Sequence, residues 1–283
     1  VESSVENKEH FLKERMLFDV TLFSDGSNIQ RKPKGHLYLY PLIAIAAMLA
    51  IVFVMDLPHM HKPKQQLSQT IRIPAGQRAQ MDLPDGSIVW LNSQTTLTYD
   101  ENFGKKDRKV TLDGEAYFEV AHNKEIPFYV QTENIKVQVT GTKFDVCSYK
   151  GSNSFIARLI EGSINLLTNN AKEEKPITSL TKGKYFSMEN GKYKTGEMSS
   201  NNALAWMQGI YYFDDVPFKE LLDKIALYYN YKITVKNPKI LENYRCTGKF
   251  KDLDGIEHIL KVIQKDHPFK YNIDNEHNKI TIE

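Results

Sequence analysis

Asp113 and Glu115, separated only by Gly114, are the nearest this sequence comes to a pair of catalytic carboxylates. Such a pair could divide general-acid and general-base roles if its surroundings drove the two pKa values apart. The local pattern argues for something plainer, because Asp-Gly is turn chemistry and predicts a hairpin with solvated ends. Ser87 follows Asp85-Gly86, another turn pattern, and a serine nucleophile needs a base beside it. His122 is the one histidine between residues 70 and 197, and it stands next to Asn123 in an expected loop. His59 and His61 could both touch one metal ion, but they read as a juxtamembrane spacer. Cys147 and Cys246 are too few for a disulfide framework or a zinc cluster, and each fits a strand. Trp90 and Trp206 are expected as core or interface anchors, with sugar platforms as the other use of such residues. The chain has no phosphate-binding glycine loop, no HExxH and no GxSxG. No catalytic, cofactor-binding or metal-binding residue is therefore assigned. The sequence points to a binding or sensing protein, not an enzyme.

These residues must be held by elements, and the elements divide the chain. Its 283 residues carry 37 Lys+Arg against 35 Asp+Glu, a net charge of +2. That balance exerts no general pull on nucleic acid, and direct nucleic-acid binding is not expected. From Leu37 to Met55 no residue is charged. At 1.5 Å per residue the stretch makes roughly 28 Å of helix, close to a bilayer's hydrocarbon core. Tyr38 and Tyr40 sit at its leading edge, and Pro41 falls where a helix start tolerates it. Arg31, Lys32 and Lys34 precede it, whereas Asp56 follows directly. The excess of positive charge on the near side predicts a single-pass protein, N-terminus in the cytoplasm and C-terminal body outside. A cleaved signal peptide fits less well, because Met55-Asp56-Leu57 is a poor exit site.

Five segments follow: a helical head at 1–35, the span at 36–56, a Pro-containing linker at 57–69, a β body at 70–197 and a mixed domain at 198–283. In the head, Phe11, Leu12 and Met16 share one helical face, with Leu17 beside them. An isolated helix of that length is marginal in water, so its apolar face calls for a cover. The body reads as short strands separated by turns, among them Pro84-Asp85-Gly86, Asp113-Gly114 and the type I′ signal Asn190-Gly191. It is all-β, and both a sandwich and a solenoid-like stack satisfy the pattern. After residue 198 the period changes. Phe218, Leu221, Leu222, Ile225 and Ala226 form one helix face, with Asp214 or Asp215 as cap and Asn230 as terminator. Ile256, Ile259, Leu260 and Ile263 form another, capped by Asp252 or Asp254. Strands flank both helices, which predicts a small α+β domain built as a doubled β-α-β unit.

The order of the blocks then carries a resemblance. The run from Ile73-Pro74-Ala75-Gly76-Gln77-Arg78 through Leu83-Pro84-Asp85-Gly86-Ser87 to Trp90-Leu91-Asn92-Ser93 resembles the opening motif of FecR-type periplasmic domains. Leu112-Asp113-Gly114-Glu115-Ala116-Tyr117-Phe118-Glu119, Val139-Thr140-Gly141-Thr142-Lys143-Phe144 and Leu159-Ile160-Glu161-Gly162-Ser163 resemble the blocks that follow. Trp206 and the run Tyr212-Phe213-Asp214-Asp215-Val216-Pro217-Phe218 resemble the next domain of Bacteroidetes members, whose βαβ repeat is similar to the secretin and TonB N-terminal signalling fold. The resemblance implies a transmembrane anti-sigma factor of the inner membrane. Its head would bind an extracytoplasmic-function sigma factor, here through Phe11, Leu12, Met16 and Leu17. Its periplasmic body would receive the N-terminal signalling domain of a TonB-dependent outer-membrane receptor. Family heads are longer than 35 residues, so a truncated head is expected. The alternative function is a membrane-anchored module that binds glycan or protein in the periplasm without sigma control.

Overall fold

The computed structural model describes residues 44–48, 50–51, 67–105, 107–169, 174–198 and 201–283. Phe11, Leu12, Met16, Leu17, His59 and His61 lie outside these residues, as does most of the expected span. Residues 44–48 and 50–51 are helical. Among the described residues no helix is long and apolar enough to cross a membrane. The chain divides into Val1–Lys64 and a compact unit, Gln65–Glu283.

Thirteen strands build the β body: β1 Ser68–Arg72, β2 Ala79–Asp82, β3 Ile88–Leu91, β4 Thr96–Asp100, β5 Arg108–Glu119, β6 Phe128–Gln131, β7 Ile135–Val139, β8 Lys143–Ser148, β9 Ser154–Glu161, β10 Ser163–Thr168, β11 Pro176–Thr181, β12 Lys184–Glu189 and β13 Lys192–Glu197. Strand β5 belongs to two layers. Its first half pairs with β4 and β6, on the way to β7, β10 and β11. Its second half pairs with β3 and β8, on the way to β9, β12 and β13. One apolar core lies between the layers, with Phe118 stacked on Phe144 at 5.1 Å and edge-on to Phe128 at 5.9 Å. The strands form one connected thirteen-stranded sheet folded at β5 around that core. The alternation Ile135-Lys136-Val137-Gln138-Val139 buries every second residue, as a half-buried strand must.

One expected turn is absent. Asp113-Gly114 lies inside the continuous strand β5, where the chain passes from one layer to the other. Gly114 has φ +134°, and a Cβ there would sit 2.4 Å from Thr95 Oγ1 and 2.6 Å from Thr95 Cα. Glycine is needed because the backbone turns a corner against another backbone. At Asn190-Gly191 the expected hairpin is present: β12 and β13 pair antiparallel, and both turn residues have positive φ.

A 3-10 segment, Asn201–Gln208, leads into the mixed part: β14 Ile210–Pro217, α1 Phe218–Tyr229, β15 Lys232–Val235, β16 Arg245–Lys251, α2 Gly255–Asp266, β17 Tyr271–Asp274 and β18 Lys279–Ile282. The element order is the expected doubled β-α-β. The pairing regroups it: β14 pairs with β16, while β15 pairs with β18 and β18 with β17. Each unit thus gives its strands to two sheets, and the helix faces Phe218–Leu221–Leu222–Ile225 and Ile256–Ile259–Leu260–Ile263 fill a shared core.

The caps also differ from expectation. Pro217 is the N-cap of α1, and Asp215 pairs instead with Arg245 Nε at 2.8 Å. Asp254 is the N-cap of α2 without capping it, since its carboxylate accepts the Lys251 N–H at 3.0 Å. Asn230 ends α1 in the left-handed region, φ 58° and ψ 43°, as expected. Asn230→Val should therefore cost about 1–2 kcal/mol in urea unfolding, whereas Asn230→Gly should be neutral within a few tenths.

Candidate functional site at the junction of the two halves

Pairing aligns one row of side chains across the second layer. Trp90 on β3 faces Tyr117 on β5, Tyr117 faces Asp145 on β8, Asp145 faces Arg158 on β9, and Arg158 faces Tyr185 on β12. The same register places Glu115 beside Cys147 and Cys147 beside Ile156. These residues occupy the face turned away from the β core. The α+β part covers that face: Tyr117, Trp90 and Ile160 pack into the same apolar cluster as Trp206, Tyr211, Phe213 and Tyr228. The β13 position in this row is glycine, because a Cβ on Gly196 would lie 2.7 Å from the Tyr185 ring.

Polar groups in the row are buried and tightly matched. Arg158 donates from Nη1 to Asp145 Oδ2 at 2.5 Å and lies 3.7 Å from Glu115 Oε1. Asn92 donates to Glu115 Oε2 at 2.6 Å. Asp145 is 0% and Glu115 4% exposed. Two carboxylates thus share one guanidinium. Burial raises the pKa of Asp145 to about 7, with Arg158 opposing the rise and Glu115 adding to it. Arg158 is held firmly protonated, its own burial outweighed by the two acids. Burial, reinforced by Glu115, pushes up the Cys147 thiol and the Tyr228 phenol. Oδ1 of Asp145 and the Trp206 indole nitrogen are both buried and lack a partner at full hydrogen-bonding geometry. The indole N–H nevertheless comes near enough to favour the ionised carboxylate. Along this row runs a cleft of about 260 Å³, lined by Glu115, Cys147, Arg158, Trp206, Tyr211 and Tyr228 among others.

A second set of contacts fastens the halves at one edge. Helix α1 ends with unpaired carbonyls, as every helix does. Here the body supplies the donors: Ser93 Oγ bonds Tyr228 O at 3.2 Å, and Gln94 Nε2 bonds Leu227 O. Arg78 reaches across to Asp252 at 2.8 Å, a residue that Tyr229, within the α+β part, also holds by donating to its carbonyl at 2.9 Å. Arg78, Asn92, Ser93 and Glu115 all come from the blocks that carry the family resemblance.

The residues first weighed for catalysis are dispersed. Asp113 accepts the Lys150 N–H at 2.9 Å in a separate depression, and Glu115 turns into the junction. They do not form a carboxylate pair, and Glu115 is not the solvated hairpin end expected. Ser87 is fully buried; it donates to Asp85 Oδ2 at 2.8 Å and accepts the Ala121 N–H at 3.0 Å. Arg108 pairs with that same Asp85 at 3.1 Å, so Ser87 belongs to a structural network. His122 lies against Gly141. Both tryptophans are at the junction. Trp206 is 4% exposed and Trp90 packs against the α+β part, which leaves neither as an open sugar platform. Cys147 and Cys246 are free thiols on β8 and β16. Arg158 and Asp145 were missed by the sequence reading, although β9 holds a signal. Phe155, Ala157 and Leu159 alternate with Ile156 and Ile160, so both faces are apolar around one arginine. A strand apolar on both faces is covered on both faces.

Comparison with known proteins follows the same division. The family profile described as "FecR protein" matches residues 69–165, and that described as "FecR, C-terminal" matches residues 210–282. Two crystal structures of a candidate anti-sigma factor from Parabacteroides distasonis, at 2.50 and 1.65 Å, share this fold. Each has a TM-score of 0.65 and 24% identity, and covers 76% of this chain and 98% of the solved one. No curated protein matches the sequence.

Proposed function

This chain belongs to the FecR family, and from that premise we propose that it is a transmembrane anti-sigma regulator. The observation that carries the reading is the succession of both FecR profiles along a single compact unit, one after the other across the buried junction. In this reading the uncharged stretch Leu37–Met55 spans the inner membrane once within a 36–56 segment. Residues 1–35 stay in the cytoplasm and bind an extracytoplasmic-function sigma factor through Phe11, Leu12, Met16 and Leu17. The linker 57–69 carries the β body, 70–197, and the α+β domain, 198–283, in the periplasm. There they meet the N-terminal signalling domain of a TonB-dependent receptor. Signalling needs no chemistry: a partner with different affinity for two states of the body shifts their populations, by no more than that difference allows.

The test is cross-linking in living cells of the full chain tagged at its C-terminus, followed by mass spectrometry of what copurifies. A sigma factor together with a TonB-dependent receptor is the expected result. A receptor without a sigma factor would remove the sigma arm. Recovery of neither would remove the relay.

A further inference from the structure

The buried row has one more carboxylate than it has cations close enough to match it. Asp145 and Glu115 both face Arg158, at 2.5 and 3.7 Å. The other ionisable groups packed there do not correct the imbalance. From β5 comes Tyr117 and from β8 Cys147, both neutral, their pKa values raised by burial. From α1 come Tyr228, also neutral, and Lys224, which pairs with Glu220 at 2.9 Å; Tyr149 just beyond β8 and Tyr211 on β14 are likewise neutral, while Glu197 on β13 and Asp214 on β14 line the cleft as further carboxylates. From β3's end comes Asn92, a neutral donor to Glu115. The 3-10 segment contributes Trp206, whose indole N–H is the remaining donor near Asp145. With both acids ionised the cluster keeps one uncompensated negative charge on two buried carboxylates. With a proton on Asp145 it is neutral.

We propose that the Asp145–Arg158–Glu115 cluster is a proton-sensitive latch between the β body and the α+β domain, tightest when Asp145 holds a proton.

The placement supports a latch. Every charged member of the cluster is on the body, while its lid, Trp206, is on the segment that leads into the α+β domain. The polar fastening beside the cluster is small: Arg78 to Asp252, and Ser93 and Gln94 to the end of α1. Lifting Trp206 uncovers the fully buried Asp145 carboxylate, and its pKa then returns toward an ordinary carboxylate value near 4. The closed state thus binds more protons than the open one. Burial and the Glu115 charge hold Asp145 up at about 7 in the closed state. A raised closed-state pKa favours closure at low pH, and that advantage is lost as pH rises through 7. The latch concerns the folded unit alone and stands whichever partners the chain binds.

Hydrogen–deuterium exchange of the full chain in detergent, followed at residues 204–208 between pH 4.5 and 8.5, tests it. Corrected for intrinsic exchange, the opening constant of this segment should fall by up to about tenfold for each unit of pH below 7, the slope of one proton. Asp145→Asn should abolish that slope and Glu115→Gln should weaken it. Asp113→Asn, in the separate depression, should leave it unchanged. An opening constant flat across the range in the native chain would overturn the latch without recourse to any variant. So would a folded Asp145→Asn protein that kept the native slope.

Discussion

Replacing Arg158 with methionine should cost about 3–5 kcal/mol of unfolding free energy, because it leaves two buried carboxylates without their cation. For a folded unit of this size the loss corresponds to a fall of roughly 10 °C in Tm. Arg158 is suited to the role. Its side chain is 17% exposed, it donates to Asp145 at 2.5 Å, and it stands within an otherwise apolar stretch of β9. A surface ion pair would give a much smaller effect, about 0–1 kcal/mol. The triple change Arg158→Met, Asp145→Asn and Glu115→Gln should recover much of the loss, since the charges are then gone together. Guanidinium unfolding of the three proteins checks both statements. A loss below 1 kcal/mol for Arg158→Met would mean that the acids are solvated and the junction is open in solution.

Gly114→Ala comes next in expected size, at about 4 kcal/mol, and from a different cause. The new methyl group would stand 2.4 Å from Thr95 Oγ1 and 2.6 Å from Thr95 Cα, and one of these is backbone. Thr95 is fully buried and bonds Glu115 twice, accepting its N–H at 3.0 Å and donating to its carbonyl at 3.1 Å. It cannot withdraw without giving up those bonds. The φ of +134° adds a backbone penalty that only glycine avoids. Because Glu115 is the next residue, displacement at Gly114 should also loosen the cluster. Thermal unfolding would show the loss, and exchange at residues 204–208 should rise with it. A Gly191→Ala control has open space around the added carbon. It should lose only the cost of a turn residue with positive φ.

Helix faces were legible because a 3.6-residue period is written in neighbouring positions: Phe218, Leu221, Leu222 and Ile225 are buried as that period requires. So was the Asn190-Gly191 hairpin, because two positive φ angles select those residues. Asp113-Gly114 carried the same local signal and meant something else. Its glycine serves a close approach to Thr95, a residue from the preceding strand region, and that contact has no trace in the neighbouring letters.

The junction was not legible for a related reason. Trp90, Tyr117, Asp145, Arg158 and Tyr185 come from five strands, and only strand register makes them one row. By itself the sequence determined the strand-rich body, the two helix faces, the change of period after residue 198 and the order of the blocks that resemble the FecR family. Each follows from local periodicity, turn stereochemistry or contiguous motif. Tertiary structure alone decided that β5 is shared between two layers, that the repeated β-α-β units exchange strands, and that the motif residues Arg78, Ser93 and Glu115 meet the second half of the chain. Those facts depend on which distant segments pair, and pairing is settled by burial summed over the whole unit.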